Sequence, residues 1–255
     1  MRLEIVTIPC RTDNYAYLLR DPDSGAVAVV DAPDAAAIEA ALDGRGWTLD
    51  TILVTHHHED HVAGVDRLRE RFGARVVGAA ADAHRLPALD QAVADGAAVT
   101  LGTRAARVIA VPGHTIGHIA YYFGSDAALF SADSLMVMGC GRLFEGSPEQ
   151  MWTSLTALAS LPDDTQIHSG HEYAESNLRF ALSIDGENPE LRQRADAIAA
   201  LRAAGRPTVP APLSLERATN PFLRASDPDL KARLGMAGAS DAQVFAEIRR
   251  RKDRF

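Results

Sequence analysis

The chain has 255 residues, 47% of them hydrophobic, enough to bury one large core or a core with a smaller companion domain. Its formal net charge of −8 argues against a protein that tracks nucleic acid, because covering phosphates calls for a basic excess. Two cysteines, Cys10 and Cys140, are too few for a secreted disulfide framework. Glu4 and Arg11 interrupt the apolar N-terminus, and no apolar run reaches membrane-spanning length. The expectation is a soluble, cytoplasmic monomer with neither nucleic acid nor membrane as partner.

In chain order, Leu3–Pro9, Ala16–Arg20 and Ala26–Val30 read as strands separated by Asp-Asn and Asp-Ser-Gly turns. Ala35–Leu42 reads as a helix, and Thr51–Thr55 as a short buried strand. Val65, Leu68 and Phe72 give helical spacing to Val62–Phe72, which Gly73 ends. His84 falls in a polar stretch read as a solvated helix. Arg75–Gly78, Arg107–Val111, Ile119–Phe123 and Ala127–Ser131 are further strands, so the first part predicts sheets covered by helices. The texture changes near residue 171. Glu172–Ile184 and Pro189–Ala204 are helical, and Arg206–Leu213, with three prolines, is an extended crossing. Ser240 with Gln243 three residues on caps a last helix striped by Val244, Phe245 and Ile248. This predicts an α+β domain over 1–171 and a smaller helical domain over 172–255.

The most informative segment is Thr55-His56-His57-His58-Glu59-Asp60-His61, lying between an apolar strand and a helix. In extended chain alternate side chains share a face, so His56 and His58 point together and His57 turns away. Asp60 and His61 enter the helix and face a second point. One segment therefore offers donor pairs to two adjacent metal ions. Imidazole and carboxylate suit zinc foremost, with iron or manganese as alternatives. The remaining donors stand just past the ends of strands: His114 in Pro-Gly-His-Thr-Ile-Gly-His, Asp133 after Ala127–Ser131, and His171 after Thr165–His168. We assign His56, His58 and His114 to one ion and Asp60, His61 and His171 to the other. Asp133 bridges both, as a carboxylate with two oxygens can, beside a bridging water or hydroxide. His118 and His168, inside strands, are alternatives read as supporting residues.

The stretch THHHEDH (55–61) resembles the signature of the metallo-β-lactamase superfamily. That implies an αββα sandwich with a two-metal centre at one edge, and a structural role for Asp31. SADSLMVMGCGRLFEG (131–146), HSGHEYAESNLRFAL (168–182), NPFLR (220–224) and IRRRKDRF (248–255) further resemble hydroxyacylglutathione hydrolases, or glyoxalase II. The resemblance runs from the Asp-Asn-Tyr near the start to the last residue. It implies hydrolysis of S-(2-hydroxyacyl)glutathione, such as S-D-lactoylglutathione, to the hydroxy acid and glutathione. The nucleophile would be the metal-bridging hydroxide, held at Asp60 and Asp133. Glutathione would be bound at Arg142, Tyr173, Arg249 and Lys252. Arg142 stands where many relatives have Lys, and Phe144 where some have a Tyr that touches substrate. Two other readings use the same early motif. A mononuclear iron dioxygenase acting on glutathione persulfide would usually lack the long helical C-terminal region. A nuclease would carry a basic surface or a further domain.

Overall fold

The apolar runs at the start of the chain form strands as predicted. β1 (Glu4–Cys10), β2 (Asn14–Arg20) and β3 (Val27–Val30) are antiparallel, with Ile8 opposite Ala16 and Leu18 opposite Val29. α1 (Ala35–Asp43) crosses over to bring β4 (Thr51–Leu53) parallel to β3. α2 (Glu59–Val62) and α3 (Val65–Phe72) do the same for β5 (Arg75–Ala79), and β6 (Gln91–Val93) completes the sheet. Parallel neighbours need such crossovers, which a tight turn cannot supply. The computed structural model describes residues 1–255. Its contacts gather them into two units, Met1–Val111 with Gly117–Ser131, and Pro112–Ile116 with Ala132–Phe255. The texture change near residue 171 falls inside the second of these.

The first unit also holds β7 (Ala98–Leu101), β8 (Arg104–Ala110), β9 (Ile119–Phe123) and β10 (Ala128–Ala132), each antiparallel to the next. This meander faces the first sheet. The Tyr17 and Phe130 rings lie 5.5 Å apart, and the Tyr121 hydroxyl donates to Val54 O at 2.9 Å. Leu18, Leu19, Val29, Ile52 and Leu53 are buried, and burying each such side chain stabilises by about 1.5–3 kcal/mol. α1 and α3 pack on each other and against β1 and β5. Asp34 caps α1 by accepting from the Ala36 and Ala37 amides, and Gly73 ends α3 at φ +66°.

The second unit contains the hairpin of β11 (Leu135–Met136) and β12 (Gly139–Cys140), then α4 (Pro148–Ala159) and β13 (Gln166–Ser169). α5 (Ala174–Asp185) and α6 (Pro189–Ala203) follow. β14 (Ala211–Pro212) pairs with β13 within the predicted extended crossing. α7 (Leu213–Thr219), α8 (Pro228–Arg233) and α9 (Asp241–Asp253) end the chain. The core joins Phe180, Phe222 and Phe245, with successive ring centroids 6.0 and 5.9 Å apart. Beneath it lies a buried polar network. Arg194 pairs with Glu216, which accepts from Met138 N at 2.9 Å and from the Asn220 amide at 3.0 Å. Asn220 also donates to Met136 O and Gly139 O, so α6 and α7 grip the β11–β12 hairpin.

Two expectations change. The predicted helix Val62–Phe72 is broken at Ala63–Gly64. The Gly64 amide donates to Ala32 O, and a Cβ there would sit 2.8 Å from Ala35 N, so the chain must turn where it meets that backbone. His84 lies in an exposed turn rather than a helix. No helix is long and apolar enough to cross a membrane.

Candidate metal centre

In the first unit the chain leaves β4 and reaches α2 through the histidine segment. His56 and His61 are fully buried, while His58 and Asp60 are half-buried. His56 Nε2 lies 3.1 Å from His58 Nδ1, so the two imidazoles do point together. His57 turns to Asp82, with Nδ1 3.3 Å from Oδ2. His61 Nε2 lies 4.0 Å from Asp60 Oδ2, and the His56 and His61 rings are 4.1 Å apart.

Asp31 organises this half. It follows β3 at φ +56°, a left-handed conformation that Asp tolerates better than most residues. Its Oδ1 accepts from the Thr55 amide at 2.8 Å, and Oδ2 accepts from the Thr55 hydroxyl at 2.8 Å and from His61 Nδ1 at 2.7 Å. Asp31, His56 and His61 are close enough to form a donor group of their own. Three accepted hydrogen bonds nevertheless make Asp31 the group that orients the imidazoles. The Thr55 hydroxyl spends its proton on Asp31, so it accepts from His56 Nδ1 at 3.0 Å. Both His56 and His61 are thereby fixed with the proton on Nδ1 and the lone pair on Nε2, the arrangement of a metal-ligating histidine.

Sequence reasoning missed two supports of this half. Asn14 donates to Asp60 O at 3.1 Å and to Oδ2 at 3.0 Å. Arg11 grips Glu59 through two bonds of 2.6 and 2.8 Å, fixing the first turn of α2. The Asp-Asn-Tyr turn was the only signal for Asn14.

The second unit carries His114, Asp133 and His171, each about 5% exposed or less. One carboxylate oxygen, Asp133 Oδ2, lies 3.5 Å from His114 Nε2 and 3.3 Å from His171 Nε2. His114 Nδ1 donates to Arg142 O at 2.8 Å, so its Nε2 also carries a lone pair. Lone pairs of an imidazole and a carboxylate turned toward each other repel unless a proton or cation lies between them, and this donor set suits a divalent ion. Ala132, just before Asp133, is held at φ +41°, a strained conformation for alanine.

The side chains expected to meet glutathione are also in this unit. Tyr173 is exposed and stacks on His171 at 4.8 Å. Arg142 is exposed. Lys252 donates to Ser176 O and Oγ, both at 3.0 Å, and lies 5.5 Å from the Phe180 ring. Burial, with Arg249, Arg179 and Arg142 nearby, pushes Lys252 down to about 8. Arg249 differs from these three. It is buried, donates to Cys140 O at 3.0 Å, pairs with Asp253 at 2.7 Å and stacks on Phe222. Cys10 and Cys140 are buried thiols pushed up to about 11, so neither is a thiolate at neutral pH.

Comparison with known proteins places this arrangement. The family model of the metallo-beta-lactamase superfamily matches residues 11–171, which contain all seven candidate ligands. Among solved structures, ETHE1 from Myxococcus xanthus has a TM-score of 0.68 at 26% identity, covering 98% of this chain and 90% of that one. A protein crystallised in a di-iron-bound form has a TM-score of 0.63 at 25% identity, covering 86% of this chain and 100% of that one. The model of the hydroxyacylglutathione hydrolase C-terminus matches residues 172–255. Hydroxyacylglutathione hydrolases of Ruegeria pomeroyi and Cereibacter sphaeroides are each 60% identical over 255 residues, all of both chains. The chain belongs to the hydroxyacylglutathione hydrolase family of the metallo-beta-lactamase superfamily, and that membership implies a pair of divalent metal ions.

Proposed function

We propose that this protein hydrolyses S-(2-hydroxyacyl)glutathione thioesters, S-D-lactoylglutathione among them, to the 2-hydroxy acid and glutathione. The full-length match to hydroxyacylglutathione hydrolases, C-terminal tail included, carries this reading. Zinc is the first choice for the ions, and the di-iron form of a related fold keeps iron in view. His56, His58 and His114 are assigned to one ion, Asp60, His61 and His171 to the other, and Asp133 to both. In support, His56 and His61 in the first unit and His114 in the second are held with Nε2 unprotonated.

When bound, the metal pair supplies Lewis acidity, lowering the pKa of water to about 7 and opposing the charge that develops on the thioester oxygen. The protein's own groups do the rest. Asp31, Thr55 and the Arg142 carbonyl hold His56, His61 and His114 in one tautomer. Residues 172–255 serve as the substrate-binding part. Arg142, Tyr173 and Lys252 hold glutathione, and Arg249 adds a fixed charge beneath them. Holding the substrate's remote end keeps its carbonyl in reach of attack. The departing thiolate, of parent pKa about 8.5, needs no strong general acid. A cytoplasmic setting agrees with two free cysteines.

The test is hydrolysis of S-D-lactoylglutathione by purified protein, with metal content measured on the same sample. Activity should vanish on chelation and return with added metal. Oxygen uptake without thioester cleavage would point to the iron dioxygenase instead.

A further inference from the structure

The cations around Lys252 are poorly neutralised. Asp253 is occupied by Arg249. Arg142 and Arg179 are exposed, and neither side chain makes an ion pair or hydrogen bond within the protein. Lys252 bonds only to neutral oxygens of Ser176. An arginine on an exposed helix face is usually a solvated charge. The place of Arg179 in α5 says otherwise. Ser176, Arg179 and Phe180 stand at i, i+3 and i+4, one face of the helix. Ser176 and Phe180 are the two α5 residues that hold the Lys252 ammonium. Arg179 therefore emerges beside that ammonium, close enough to repel it. Like charges gathered around a single acid, Asp253, that is already paired are unfavourable in the free protein and become favourable when an anion sits among them.

Glutathione offers two ends. The γ-glutamyl end carries an ammonium beside its carboxylate and is neutral overall. The glycyl end carries an unaccompanied carboxylate, which a cluster of cations attracts more strongly. We propose that Arg179 is a further substrate-binding residue, forming with Arg142 and Lys252 a three-cation cradle for the glycyl carboxylate. This rests on the thioesterase reading above. It adds to that reading a residue, and the part of the substrate that the residue recognises.

The experiment compares wild type, Arg179→Ala and Arg179→Lys on S-D-lactoylglutathione and on its glycyl ethyl ester, at low and moderate salt. Arg179→Ala should raise KM for the free acid about three- to tenfold, the range of a half-exposed charge-assisted contact, with kcat little changed. Arg179→Lys should recover most of the loss. The penalty should shrink with salt and fall to about twofold or less on the ester, which has no carboxylate to lose. An unchanged KM in Arg179→Ala would overturn the inference, as would an equal penalty on acid and ester. Wild-type protein, fully metallated, that leaves both thioesters intact would overturn the proposed function itself.

Discussion

Asp31 and His61, buried side by side, are joined by a 2.7 Å bond between carboxylate Oδ2 and ring Nδ1. The same carboxylate takes both donors of Thr55, so a single acid decides the tautomers of two candidate ligands. Asp31→Asn places an amide where three donors converge. Its nitrogen cannot accept, so either Thr55 or His61 loses its partner. Metal affinity should fall about ten- to a hundredfold, the usual consequence of losing the group behind a metal histidine. Competition with a chelator measures this, and an affinity equal to wild type would contradict the role given to Asp31.

Lys252 supplies a pH dependence with a definite sign. In the free enzyme it is pushed down to about 8 by burial and by Arg249, Arg179 and Arg142, with only Asp253 opposing. Below that pH it is an ammonium and adds to the pull on a carboxylate. As pH rises through about 8 it becomes neutral and that pull is lost. The profile of kcat/KM, which reports groups of the free enzyme, should therefore fall on the alkaline side of 8. Lys252→Met should flatten that limb. A variant that keeps the same alkaline fall would assign it to another group.

The candidate metal-binding loop was legible in the sequence because its geometry is local. A strand running into a helix makes His56 and His58 share a face, and no distant residue is needed to see it. What holds the loop was not legible. Arg11 and Asn14 reach Glu59 and Asp60 across more than forty positions, and no periodicity links a β1–β2 turn to a helix after β4. The break at Gly64 was hidden for the same reason, since the backbone it meets, Ala32–Ala35, is supplied by the fold. α4 is a different kind of omission. Ser147, Pro148 and Gln150 form a capping box with proline in the first turn, a signal present in the sequence and passed over beside the richer stretch before it.

The buried pair of Arg194 and Glu216 should dominate the stability of the C-terminal helices. Glu216 is fully enclosed and accepts from Arg194, Asn220 and the Met138 amide. Removing it leaves a guanidinium buried without a counter-charge, which costs about 3–5 kcal/mol. Glu216→Ala should thus lower urea resistance sharply. Arg194→Met combined with Glu216→Leu, which removes both charges and keeps volume, should be less damaging than Glu216→Ala alone. A double variant worse than the single one would mean that Glu216 matters chiefly through Met138 and Asn220.

Gly141 is where the second half of the metal centre is most tightly constrained. A Cβ there would stand 2.0 Å from Asp133 O and 2.9 Å from His114 Nδ1, inside the space of a candidate ligand and of another ligand's backbone. The Gly141 amide also donates to Ser134 O at 3.2 Å, so the segment cannot simply back away. Gly141→Ala must displace the Asp133 backbone or swing His114 off the Arg142 carbonyl that fixes its tautomer. Overpacking of this kind costs about 1–3 kcal/mol, an amount the whole fold tolerates better than an ion site that needs its donors placed within about 0.5 Å. The expected result is a folded protein, by circular dichroism, with metal content and hydrolysis both reduced at least tenfold. A fully metallated, fully active Gly141→Ala would show that His114 and Asp133 can shift without loss, and their fixed separation would then not be what the site depends on.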